Sequence, residues 1–113
     1  MIKIAIAIQK GGSGKTTTVY NVAAELAAAG KRVLTLDLDA QATLTNYANV
    51  SVNNSMAAVF DGRRTLQEII TTTDSGFDLA PGSIDLTMSE LTLTARIGRE
   101  NVLKKALQSI DTL

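Results

Sequence analysis

The sequence predicts an α/β fold in which helices flank a mostly parallel sheet in three layers. Three observations carry that reading. Ile2, Ile4, Ile6 and Ile8 alternate with Lys3, Ala5 and Ala7, a period-two, β-branched pattern apolar on both faces, as in a buried parallel strand. A glycine-rich turn, Gly11-Gly12-Ser13-Gly14, follows at once and opens into residues at helical spacing. A second apolar run, Val33-Leu34-Thr35-Leu36-Asp37-Leu38, comes directly after that helix. Strand, helix and strand in so short a span form a βαβ unit, whose crossover is almost always right-handed.

The elements follow in order. Val19, Val22, Ala23, Leu26 and Ala27 place an amphipathic helix from Thr16 to about Ala29, and Gly30 stands where a left-handed C-cap belongs. Lys31-Arg32 leads into the second strand. Thr43 to Tyr47 is a short helix, and Asn49 to Asn54 is a polar connection. Ser55 caps a helical turn through Met56–Phe60, ended by Asp61-Gly62. Thr65-Leu66-Gln67-Glu68 has the form of a capping box, with Leu66, Ile69 and Ile70 as its apolar stripe. Phe77 to Ala80 is a third short strand, broken by Pro81-Gly82, and Ser83 opens a helix to about Ala95. Arg99 to Ile110 is a final amphipathic helix, with Val102, Leu103, Leu107 and Ile110 on one side. Internal repeats, low-complexity tracts and linkers are absent from this pattern.

Composition narrows the chemistry. A chain of 113 residues suits one domain. Hydrophobic residues make up 45% and charged residues 19%, the balance of a globular protein. Eleven basic residues meet eleven acidic ones, so net charge advertises neither a nucleic-acid nor a membrane surface. With neither cysteine nor histidine, disulfides, thiolate chemistry and Cys-based metal sites are excluded, and the usual general base and zinc ligand are missing. Aromatics at 4% are too sparse for a base-stacking platform. Catalysis must then rest on carboxylates, lysines, backbone amides or a bound metal. The apolar N-terminus runs into a glycine turn rather than a small-residue cleavage site, and no apolar run reaches the length of a membrane span. The expected location is the cytoplasm.

The glycine turn has the chemistry of a phosphate cradle. Gly11, Gly12 and Gly14 let backbone N–H groups approach anionic oxygens, and the helix from Thr16 points its positive end at them. Lys15 reaches β and γ oxygens, and the Thr16 hydroxyl suits Mg²⁺. The common pattern G-x-x-x-x-G-K-[ST] is not met, because Gln9 stands where its first glycine belongs. A glycine turn without a ligand is the plainer alternative; the fall of Gly-Lys-Thr at the strand–helix junction argues against it.

Lys10-Gly11-Gly12-Ser13-Gly14-Lys15-Thr16-Thr17 resembles the deviant Walker A motif, K-G-G-x-G-K-[ST], of the ParA/MinD ATPases. The resemblance implies a P-loop NTPase, Rossmann-like fold, with ATP and Mg²⁺ bound by Lys10, Gly11, Gly12, Ser13, Gly14, Lys15, Thr16 and Thr17. It also implies that Lys10 reaches across an ATP-sandwich dimer to the partner's phosphates, supplying transition-state charge as an arginine finger does. Read alone, Lys10 is equally a solvated loop lysine.

Asp37 and Asp39 stand at the end of the second strand, and ligands in open α/β sheets bind beyond the carboxyl ends of strands. Two apart, they share a side if the strand runs through them, one for the magnesium shell and one for the attacking water. By composition alone, solvated acids at a polar strand end are the plainer reading. The family has D-x-D-P-Q here, the Walker A′ motif. The resemblance gives Asp39 a part in hydrolysis and Asp37 a place near the outer shell of the metal. Gln41 matches the partition-type branch, and Ala40 replaces the usual proline. Leu79-Ala80-Pro81-Gly82-Ser83-Ile84-Asp85-Leu86 resembles the family's short strand, Pro-containing turn and helix, with Glu90 where an acid is common.

The resemblance implies a catalytic set of Lys10, Lys15 and Asp39, and metal ligation by Thr16 and Asp37. It implies a partition protein of chromosomes or plasmids that hydrolyses ATP as a homodimer. A ParB-type adaptor, non-specific DNA on the nucleoid and no membrane are its expected partners. A MinD-like positioning regulator, a reductase iron protein and a non-catalytic fragment are the alternatives. Residues 1–113 are expected to be the N-terminal portion of one ATPase domain, stopping before Walker B and weak in ATPase activity alone. An open edge on the Ile2–Ile8 strand, prone to self-association, is the expected consequence.

Overall fold

The computed structural model describes residues 2, 14–89 and 101–110. The first strand and much of the helix expected after Ser83 lie outside these residues.

Helix α1 spans Lys15–Ala28 and is closed by Gly30 at φ 84. Gly30 N–H donates to the Ala27 carbonyl and Lys31 N–H to the Leu26 carbonyl, both at 3.0 Å. This paired closure needs a left-handed residue, which glycine supplies without a Cβ penalty. The helix turns Val19 and Tyr20 toward the core and buries Ala23, while Val22 and Leu26 stay half exposed. The buried stripe is therefore narrower than the sequence spacing suggests, and Tyr20 belongs to it.

Strand β1 is Leu34–Leu36, shorter than the expected run to Leu38, which is itself 42% exposed. Helix α2 (Thr43–Ala48) and helix α3 (Met56–Phe60) follow. The Ser55 hydroxyl caps α3 by accepting from Ala57 N–H at 3.2 Å. Helix α4 (Leu66–Ile69) carries the full capping box. Thr65 Oγ1 accepts from Glu68 N–H at 3.3 Å, and Glu68 Oε1 accepts from Thr65 N–H at 2.9 Å. Strand β2 (Thr71–Thr72) turns back into β3 (Asp78–Ala80). Thr73 N–H donates to the Phe77 carbonyl at 2.9 Å, Gly76 N–H to the Thr73 carbonyl at 3.0 Å, and Gly76 sits at φ 91. A turn followed by a left-handed glycine is a common three-residue hairpin closure. Residues 86–89 are helical, and α5 spans Val102–Gln108.

Among the described residues the sheet order is β1-β3-β2. β1 runs parallel to β3, with Leu34, Thr35 and Leu36 opposite Asp78, Leu79 and Ala80. β2 runs antiparallel to β3, so the described sheet is mixed. β3 is the wall shared by two cores. Leu79 faces Leu44, Ala48, Val19 and Tyr20 of the α1–α2 side. Ala80, one residue on, faces Met56, Val59, Leu66, Ile69 and Leu86, against which Leu103 and Leu107 of α5 pack. Alternation along one strand thus produces the three layers. Met56, Leu66, Phe77, Leu79 and Leu86 are essentially fully buried, and each contributes roughly 1.5–3 kcal/mol relative to exposure.

Candidate functional site

The site is assembled where α1 begins and where β1 and β3 end. Gly14 stands before α1 at φ 83, and a Cβ there would meet nothing within 4 Å. Its dihedral, not lack of space, requires glycine. The first turn of α1 has no acidic residue and no side-chain cap, so its partial positive charge is left uncompensated there. Lys15, Thr16 and Thr17 occupy that turn. Lys10, Gly11, Gly12 and Ser13 lie outside the described residues.

Lys15 Nζ stands 3.9 Å from Asp39 Oδ2, with the two side chains 33% and 39% exposed. That distance makes an ion pair and not a hydrogen bond. The other Asp39 oxygen accepts from Gln41 N–H at 3.0 Å, and Ala42 N–H donates to the Asp39 carbonyl at 2.9 Å. Residues 39–42 therefore form a tight turn with Ala40 in its second position, where proline is favoured in such turns. Asp39 has one oxygen held by its own turn and the other turned to Lys15.

Asp37 is placed differently, although it sits only two residues away. β1 ends at Leu36, so strand alternation does not carry both carboxylates to one side. Asp37 is 4% exposed. Its Oδ2 accepts from Thr45 N–H at 3.0 Å and from Thr45 Oγ1 at 2.6 Å, and its Oδ1 accepts from Asp39 N–H at 3.2 Å. Thr45 N–H is one of the donors that the first turn of α2 leaves without an intrahelical partner, so Asp37 caps α2 from outside it. A carboxylate offers about four acceptor directions, and the protein fills most of them here.

Sequence reasoning missed two participants. Thr45 Oγ1 also accepts from Gly82 N–H at 2.9 Å. Gly82 packs so closely that a Cβ would lie 2.8 Å from the Asp37 carbonyl oxygen, 2.9 Å from Asp37 Cγ and 3.0 Å from the Asp39 carbonyl oxygen. Pro81-Gly82 is thus more than a strand breaker: it is the floor on which the acidic segment rests. The signals for Gly82 were its place directly beyond a buried strand and within the segment that resembles the family's Pro-containing turn, neither of which gave it a role.

The donor set suits a magnesium–nucleotide complex. Among the described residues no cluster of three or more acidic ligands would hold a metal alone. Mg²⁺ ordinarily keeps several waters and is held by one or two carboxylates together with substrate phosphates. A threonine hydroxyl, a lysine and nearby carboxylates at an uncapped helix start fit that need.

A family model described as an AAA domain matches residues 1–113. The sporulation initiation inhibitor protein Soj of Bacillus subtilis is 39% identical over 111 residues, covering 95% of this chain and 44% of that protein. The chromosome partitioning protein ParA of Myxococcus xanthus is 34% identical over 111 residues, covering 95% of this chain and 39% of that protein. A crystal structure of cobyrinic acid a,c-diamide synthase from Mycobacterium smegmatis, with bound ATP analogue and magnesium, superposes with a TM-score of 0.88. It is 41% identical and covers 93% of this chain and 44% of that one. The chain therefore spans about two fifths of the relatives it matches. Its phosphate-loop signature, its α/β layers and its match across residues 1–113 place the chain in the AAA-domain family, among the Soj/ParA-type P-loop ATPases.

Proposed function

We propose that these residues are the phosphate-gripping part of a ParA-type partition protein, which binds and hydrolyses ATP in an ATP-sandwich dimer during chromosome or plasmid segregation. The observation that carries this reading is the meeting of Lys15, from the uncapped start of α1, with Asp39, from the end of β1. In this reading Lys15 holds phosphate and Asp39 acts on water, and their proximity supports it. The names of the Soj and ParA relatives support the cellular role.

In this reading Gly11 to Thr17 wrap the phosphates with backbone N–H groups, and Lys15 leaves Asp39 for the β and γ oxygens. Asp39, released, orients the attacking water. Thr16 would hold Mg²⁺, with Asp37 behind it through water, and the ion would supply charge neutralisation on the phosphates. Lys10 acts on the partner subunit's nucleotide. A ParB-type adaptor and non-specific DNA are the proposed partners, on the nucleoid within the cytoplasm. No helix among the described residues is long and apolar enough to cross a membrane.

A titration with a fluorescent ATP analogue and Mg²⁺ tests the first step. The chain is expected to bind, and Lys15→Ala to lose binding. In the protein as encoded, Asp39→Ala should still bind while turnover falls by about 100-fold or more, the usual scale for a lost proton-handling group. Lys10→Ala should abolish the rise of specific activity with protein concentration. Equal binding by the wild type and Lys15→Ala would remove the basis of the proposal.

A further inference from the structure

We infer that Thr45 is a positioning residue for hydrolysis, its hydroxyl locking the Asp37–Asp39 segment to the Pro81–Gly82 turn. This rests on the ATPase reading above. The directions of its bonds are settled by chemistry. Gly82 N–H can only donate, so it takes a lone pair of Thr45 Oγ1, at 2.9 Å. The single hydroxyl proton then goes to Asp37 Oδ2, at 2.6 Å. Thr45 N–H donates to the same carboxylate oxygen at 3.0 Å. Thr45 is 4% exposed, so water does not substitute for these partners.

The hydroxyl thereby ties three pieces of chain: the end of β1, the first turn of α2 and the end of β3. Its effect reaches Asp39 by two routes. Asp37 Oδ1 accepts from Asp39 N–H at 3.2 Å, so the orientation of the Asp37 carboxylate fixes the Asp39 backbone. Gly82, held by Thr45, lies against the carbonyl oxygens of Asp37 and Asp39 with no room for a Cβ. Asp39 is anchored from both sides, while among the described residues Lys15 pairs with Asp39 and not with Thr45. Removing the hydroxyl leaves the buried Gly82 N–H without its acceptor and Asp37 Oδ2 with the Thr45 N–H alone, and the acidic segment shifts to recover the lost bonds. A displacement of about 1 Å at a reacting group can cost about 100-fold in rate.

The test compares Thr45→Val, which keeps shape and loses the hydroxyl, with Thr45→Ser, which keeps the hydroxyl. Thr45→Ala serves as a second hydroxyl-free variant should Thr45→Val not fold. ATP turnover, Mg–ATP affinity and thermal midpoint are measured in the protein as encoded. Amide hydrogen exchange is followed at Asp39 and Gly82. The hydroxyl-free variants should lose kcat by about 10- to 100-fold, keep nucleotide affinity within about twofold, and exchange faster at both amides. Thr45→Ser should restore kcat. Turnover lost equally in Thr45→Ser and the hydroxyl-free variants, or kcat and affinity falling together, would overturn the positioning role. So would undiminished kcat in Thr45→Val. A wild-type protein that binds no ATP or does not turn it over refutes the ATPase reading, and the inference with it. A wild type that turns over, beside an equally active Thr45→Val, refutes the inference alone.

Discussion

Gly82→Ala separates a glycine needed for space from glycines needed for backbone dihedrals. The added Cβ would sit 2.8 and 3.0 Å from the carbonyl oxygens of Asp37 and Asp39 and 2.9 Å from Asp37 Cγ. None of the three atoms is the loose end of a flexible side chain. The two oxygens are backbone, and the Asp37 carboxylate is held by three donors. Relief must come from moving β3 away from the acidic segment, which strains the Thr45–Gly82 bond as well. Overpacking of this kind costs about 1–3 kcal/mol, and with backbone on both sides we place it near the upper end. At roughly 4–8 °C per kcal/mol for a small domain, the melting midpoint should fall by roughly 10–20 °C. Thermal unfolding followed by circular dichroism measures the midpoint, and urea unfolding measures the free energy. Gly30→Ala is the control. Nothing lies within 4 Å of its Cβ, but φ is +84, so its cost of roughly 1–2 kcal/mol comes from the left-handed backbone alone. Asparagine, which tolerates that region, should recover much of the loss at Gly30 and none at Gly82. A Gly82→Ala protein within about 0.5 kcal/mol of wild type would refute the reasoning, since that is the range of an ordinary surface change.

Three further outcomes are expected. Lys15→Ala should move stability by less than about 1 kcal/mol, because its partner is 3.9 Å away and both side chains are part exposed; denaturant midpoints check this. Ala40→Pro should stabilise by about 0.4–1 kcal/mol, because Ala40 holds the second position of the turn closed by Ala42 N–H on the Asp39 carbonyl; a lowered melting midpoint would contradict it. The Glu68 carboxyl is held below its usual value, chiefly by the Thr65 N–H and then by the Thr65 hydroxyl, with Arg64 a smaller cause. Its contribution is therefore present above the ordinary carboxyl range and lost as pH falls through the lowered value. Thermal melts of wild type and Glu68→Gln should differ at neutral pH and converge in acid.

Legibility in the sequence followed the reach of the interactions. The Thr65–Glu68 capping box, the Ser55 cap and the Gly30 closure involve partners a few residues apart, and spacing alone identifies them. The β2–β3 hairpin was missed because β2 is only Thr71–Thr72, too short for alternation to register, although Asp74-Ser75-Gly76 carried a turn signal. The placing of Gly14, Lys15, Thr16 and Thr17 at the start of α1 was legible because the signature is written in one contiguous segment. The difference in burial and bonding between Asp37 and Asp39 was not. Their spacing suggests equivalence, and only the end of β1 at Leu36, with Thr45 and Gly82 arriving from distant chain, makes one buried and the other half exposed.

That difference has an energetic logic. Hydrogen bonds to a charged group contribute about 1.5–3 kcal/mol each, and Asp37 accepts three from buried or half-buried donors. Dislodging it would strand all of them, so its carboxylate belongs to the frame. Asp39 gives one oxygen to its own turn and offers the other to a lysine 3.9 Å away. An exposed pair of that kind is worth at most about 1 kcal/mol. In the proposed reading a phosphate arriving at the start of α1 would bring more charge and more acceptors than one carboxylate, so Lys15 would transfer to it at small cost. That transfer would uncover Asp39 in the same step. A site built with both carboxylates as firmly held as Asp37 would have no residue free to act. One built with both as loose as Asp39 would not keep either in place.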